Sequence, residues 1–163
     1  MYLYLKQKVF SIGEKFTFYD QNMAPVFTAK GSFFAIPKKF TVFYGQNPVI
    51  NIKRKIFSLL PTYTVYDMPS GQELCTLKRR VSLKANFSIF TPGGEYKISG
   101  SLFGYEFDVF APDGVKVLAV HKKYISWGDT YELYIDETRI QPKLAAGLVV
   151  AIDNAVHSNK NRR

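Results

Sequence analysis

Residues 57–67 read FSLLPTYTVYD, and five other segments repeat their form: FSIGEKFTFYD at 10–20, FAIPKKFTVFY at 34–44, VSLKANFSIFT at 81–91, SLFGYEFDVFA at 101–111 and ISWGDTYELYI at 125–135. Successive starts lie 24, 23, 24, 20 and 24 residues apart. Counting each start as zero, position six is Phe16, Phe40, Tyr63, Phe87, Phe107 and Tyr131, and position nine is Tyr19, Phe43, Tyr66, Phe90, Phe110 and Tyr134. Both are aromatic in every copy, in a chain that is 16% aromatic, so coincidence is a poor explanation. Position eight is apolar throughout (Phe18, Val42, Val65, Ile89, Val109, Leu133). Successive side chains of a strand alternate between faces, so positions six and eight share one face and position nine lies on the other.

Turn-forming residues follow these strands at Asp20–Asn22, Gly45–Pro48, Met68–Gly71, Pro92–Gly94 and Pro112–Gly114. A second strand-like run comes next, for example PVINIKRK at 48–55, ELCTLKR at 73–79 and VKVLAVHK at 115–122. Each unit is therefore a hairpin. The sixth unit lacks its second strand, because Pro142 and an apolar segment arrive instead. The N-terminal run LYLKQKVF at 3–10 has the form of VINIKRKIF at 49–57 and supplies the missing half. Twelve strands then close into a ring, which removes exposed sheet edges. A period near 24 is too short for the four-stranded blades of a propeller.

The C-terminal segment KLAAGLVVAIDNAV, 143–156, is apolar on every side of a helix, so it must be buried all round. Pro142 suits its first turn. The small residues Ala145, Ala146, Gly147 and Ala151 keep it slender. A ring of this size would be void without a plug, and a threaded helix fills it. The fold class expected is a twelve-stranded closed antiparallel β-barrel around a central hydrophobic C-terminal α-helix, as one domain over residues 1–163.

The repeated FSIGEKFTFYD form, the KRK and KRR tracts before later repeats, and the terminal LAAGLVVAID helix resemble the LURP-one-related family. That family is similar in fold to the tubby C-terminal domain and the phospholipid scramblases. The resemblance covers about residues 5–157 and implies the same barrel and central helix. It implies little about activity. Tubby proteins bind phosphoinositides and scramblases act at membranes, but no segment of this chain matches a tubby phosphoinositide site residue by residue.

The chain is basic, with 22 Lys and Arg against 13 Asp and Glu, a formal charge of +9. Such a charge favours anionic partners and says nothing about fold. In the four positions before each repeat start lie Lys6, Lys8, Lys30, Lys53, Arg54, Lys55, Lys78, Arg79, Arg80, Lys97, Lys122 and Lys123, with no acid among them. Repeats in register would gather these toward one rim of the barrel, with Lys15, Lys38 and Lys39 adjoining. Two readings stay open. The rim is a solvated, edge-protecting surface, or it is an anion-binding rim for phospholipid or phosphoinositide headgroups. A protein partner is the alternative ligand. Nucleic acid is disfavoured, because the recurrent aromatics follow the fold and not the basic tracts.

Catalysis has little to stand on, and no catalytic residue, cofactor site or metal site is read from the sequence. The chain has two histidines, His121 and His157, at unrelated spacings. Cys75 is the one cysteine, which rules out an intrachain disulfide. In the strand-like run ELCTL it reads most simply as a small buried hydrophobe; Lys78, Arg79 and Arg80 follow it and would lower its pKa if they lay beside it, a thin case for a nucleophile without a placed base. Gly93 and Gly94 sit in a turn and open no helix, so there is no phosphate-binding loop. Trp127, in the SWGD departure from the repeat, and Asp153, the one acid of the helix, are the remaining unusual positions. Residues 1–10 lack the pattern of a secretory leader. The longest apolar run, Leu144–Ile152, has 9 residues, about half of a membrane-spanning helix. A cytoplasmic location, with peripheral membrane association, is the expectation.

Overall fold

The computed structural model describes residues 1–6, 15–32, 39–81, 86–102, 104–125 and 128–157. Twelve strands are present: β1 (Tyr2–Lys6), β2 (Lys15–Tyr19), β3 (Pro25–Gly31), β4 (Lys39–Tyr44), β5 (Asn47–Arg54), β6 (Thr62–Asp67), β7 (Glu73–Arg79), β8 (Phe87–Thr91), β9 (Gly94–Ser101), β10 (Glu106–Phe110), β11 (Lys116–Ile125) and β12 (Gly128–Ile135). Each pairs antiparallel with its sequence neighbours. β1 also pairs with β12, from Tyr2 opposite Tyr134 to Lys6 opposite Thr130, and the barrel closes. The N-terminal strand is therefore the missing half of the sixth hairpin.

The repeat pattern maps directly onto the wall. All residues at positions six and eight are buried, while those at position nine are half-buried or exposed on the outer face. Four hairpins carry the same register shift between positions eight and nine, at Phe18/Tyr19, Val42/Phe43, Val65/Tyr66 and Val109/Phe110. A bulge at this point bends the strand and sharpens its twist just before the turn. The repetition of the device matches the repetition of the sequence.

Helix α1 (Pro142–His157) occupies the interior, and residues 145–156 are all buried. It packs against β3–β7. Gly147 brings it close to the wall, since a Cβ there would lie 3.0 Å from Ile50 Cγ2. Its first turn is held where β6 ends, by an ion pair from Lys143 Nζ to Asp67 Oδ1 at 2.5 Å. That contact and Ser70 hold the Asp67 carboxyl at about 2. The far end carries the polar residues of the helix. Tyr63 Oη donates to Asn154 Oδ1 at 3.0 Å, and Tyr105 Oη donates to Asp153. A buried acid requires such a partner, and Asp153 is a bonded core residue.

Candidate anion-binding rim

Hairpin turns form one end of the barrel and the links between hairpins form the other. The odd-numbered strands run toward the linking end. Lys6, Lys30, Lys53, Arg54, Lys78 and Arg79 stand at or next to their last residues. Lys122 and Lys123 lie near the end of β11, and Lys55 and Arg80 are one residue past β5 and β7. Lys8 falls outside the described residues, as do Lys38 and Trp127. Lys97 lies in the middle of β9 and not at its end. Helix α1 directs its C-terminus toward the same end, where cations favour the negative pole of the helix dipole.

Alternation divides this basic set between two faces. Lys6, Lys30, Lys53, Lys78 and Lys123 follow inward residues and lie on the outer face, exposed. Arg54, Arg79 and Lys122 share the inward parity at the barrel mouth and are half-buried. On the outer face, Lys6, Lys30 and Lys53 place their ammonium groups over Tyr19, Phe43 and Tyr66, at 5.5, 5.3 and 4.9 Å from the ring centroids. The register produces this geometry: Asn51 is opposite Tyr66, and Lys53, two residues on, meets the ring diagonally. The recurrent aromatics and the basic tracts are thus joined, where the sequence reading kept them apart. A signal was available, because each ring follows its lysine by 13 residues.

Acid pairing breaks the collar into an arc. No Asp or Glu occurs between Asp20 and Asp67, or between Glu73 and Glu95. On the β9–β12 side of the rim, Lys123 pairs with Glu132, while the Lys116–Asp108 pair at 2.9 Å and the Arg139–Asp113 pair at 2.5 Å lie toward the hairpin-turn end. Arg80 reaches Ser88 and Glu95 and so leaves the unpaired set. Arg54, Lys55, Lys78 and Arg79 have no acidic partner among the described residues. Two further lysine pairs stand directly opposite each other, Lys15 with Lys30 and Lys39 with Lys53. Like charges in register cost stability. The wall from β2 to β7 therefore concentrates positive charge that its own neighbours do not neutralise.

Other candidate residues resolve differently. Cys75 is buried in β7, and burial pushes its thiol up to about 12. This is the small buried hydrophobe that the strand-like run ELCTL suggests; Lys78 and Arg79 stand at the strand end, and burial outweighs any lowering of the thiol pKa by their charge. His121, which has no spacing relation to His157, has its partners elsewhere. Its Nδ1 lies 2.8 Å from Glu106 Oε2 and its Nε2 3.0 Å from Asp108 Oδ1. The partners come from β10, a cross-strand neighbourhood that single-strand reading does not reveal. Among the described residues, no group of three or more His, Cys, Asp or Glu is placed to hold a metal ion. No helix of the described residues is long and apolar enough to cross a membrane.

The fold is a closed barrel threaded by its own C-terminal helix, with a basic arc at one end. The LURP-one-related family model matches residues 1–153, and the chain belongs to that family. It is 32% identical over 135 residues to the uncharacterized protein YxjI of Bacillus subtilis (strain 168), covering 82% of this chain and 80% of that one. The X-ray structure of a protein from Arabidopsis thaliana superimposes with a TM-score of 0.69 at 18% identity, over 96% of this chain and 91% of the other, a likeness of fold.

Proposed function

We propose that this protein is a non-enzymatic module that associates reversibly with anionic phospholipid surfaces through Arg54, Lys55, Lys78 and Arg79. The observation that carries the reading is the arc itself: four cations at the ends of β5 and β7, without acidic partners among the described residues. A rim that served only for solubility would gain from interspersed acids. Here like charges are instead set opposite one another at Lys15/Lys30 and Lys39/Lys53. Each basic residue near an anionic surface contributes about 1 kcal/mol, so four gathered at one end of the barrel support roughly thousandfold enrichment at low salt.

Co-sedimentation with phosphatidylcholine vesicles carrying increasing phosphatidylserine or phosphoinositide tests this. The expected result is binding that requires anionic lipid, weakens with salt and is lost on Arg54→Glu/Lys55→Glu. No binding at any composition refutes it and leaves a protein partner as the ligand.

A further inference from the structure

The links on either side of β6 carry a second feature. Phe57 and Leu59 are 101% and 104% exposed, and Val81 and Ile56 are 89% and 59% exposed. No other large apolar side chain of the described residues exceeds the 56% of Tyr44. Phe57 and Val81 are the repeat-start residues of the third and fourth units; the KRR tract directly precedes Val81, and the KRK tract precedes Phe57 with Ile56 between them. Both fall in links between strands, so the barrel core does not use them.

The 55–62 loop holds a defined shape. Lys55 N donates to Thr62 O at 2.9 Å across its base. Ser58 Oγ, bonded to Thr62 Oγ1 at 2.9 Å, lies 2.5 Å from Leu60 O, which Thr62 Oγ1 also approaches at 3.0 Å. Arg79 N donates to Pro61 O at 3.0 Å and ties the loop to the start of the Val81 link. The loop turns its polar groups onto itself and its apolar side chains into solvent. Ordering costs are then largely met before anything binds.

Resting on the anionic-surface reading above, we infer that Phe57 and Leu59, with Ile56 and Val81 beside them, form an apolar tip that enters the interfacial layer of an anionic membrane. Arg54 and Lys55 directly precede the tip at the end of β5, and Lys78 and Arg79 end β7, whose Arg79 N bonds the loop at Pro61 O, so these cations would lie at the headgroup level when the tip inserts. Apolar residues that enter the acyl boundary and cations that stay at the headgroups are the two components of interfacial anchoring. The same charge argues against a second copy of this chain as the occupant, because it would bring a like-charged arc against the first.

The test separates the tip from the charge. Phe57→Ser/Leu59→Ser leaves every charge in place, and both side chains are free of the core, so thermal stability should be unchanged. On anionic vesicles this variant should partition about 30-fold more weakly, two large side chains each losing part of their burial free energy. In a separate Phe57→Trp variant, brominated lipid should quench the added indole fluorescence, measured against the wild-type signal of Trp127. Wild-type binding with an unaffected double variant and no quenching overturns insertion and leaves the electrostatic reading standing. Absence of wild-type binding overturns both. A concentration-dependent dimer abolished by Phe57→Ser/Leu59→Ser would show that a second copy covers the tip, and insertion again fails.

Discussion

Gly147→Ala should destabilise the protein, although alanine is the better helix former. In an exposed helix the change would add about 1 kcal/mol of stability. Gly147 is instead buried where α1 lies against β5 and β6. A Cβ would stand 3.0 Å from Ile50 Cγ2, 3.6 Å from Val65 Cγ1 and 3.9 Å from Ile50 Cβ. Ile50 is fully buried and β-branched, with little rotational freedom to move its Cγ2 aside. Overpacking of this kind costs about 1–3 kcal/mol. Set against the helical gain, the net change is a loss of about 1 kcal/mol. Ile50→Leu moves the offending methyl away from Cβ at nearly constant volume, so it should relieve the clash. In urea denaturation, the double variant should be more stable than the sum of the single changes by about 1 kcal/mol, a coupling energy. Stabilisation by Gly147→Ala alone, or additive single changes, would refute the idea that close approach of helix and wall sets the residue at 147.

Two other consequences concern titratable groups. Glu106 and Asp108 accept hydrogen bonds from the His121 ring and raise its pKa above the ordinary 6.5, so folding favours the charged imidazolium. The His121 contribution is fully present below its unfolded value while Glu106 and Asp108, whose carboxyls are themselves held below their usual range, stay ionised, and it is lost as pH rises through the higher folded value. NMR titration of His121 should show an elevated midpoint and His121→Gln should flatten the pH dependence of Tm in that window; a midpoint below 6.5 would contradict the geometry. Cys75, buried with its thiol pushed up to about 12, should resist thiol-specific reagents at pH 8 in the native protein and react once the chain is unfolded by guanidinium. Rapid labelling under native conditions would place it at the surface.

The barrel was legible because its signals are local and repeated. Positions six, eight and nine of each unit report which face of a strand meets the core, and that depends only on chain alternation. The helix was legible for a similar reason: residues 144–152 are apolar on every side, and only an enclosed position satisfies them. The missing strand of the sixth unit could be identified in residues 3–10 because closure demands a partner for the last hairpin. Cys75 was legible as a buried residue from the run ELCTL, while the spacing of Lys78 and Arg79 says nothing about how close their charges come to the thiol.

The sequence by itself determined the number of strands, their inward faces, the closure and the plug, since these follow from periodicity and the need to bury apolar surface. It also brought most of the described basic residues before repeat starts to the linking end of the barrel, with Lys97 in mid-strand. Only the tertiary structure decided which of them remain unpaired. Arg80 finds Glu95 15 residues away, and Lys123 finds Glu132, through pairing across strands. Arg54, Lys55, Lys78 and Arg79 meet no such acid among the described residues. The structure likewise decided that Phe57, which begins a repeat in the sequence, stands fully in solvent in a link between strands. Burial and charge compensation depend on neighbours brought together from distant parts of the chain, and no reading of residues in sequence order contains them.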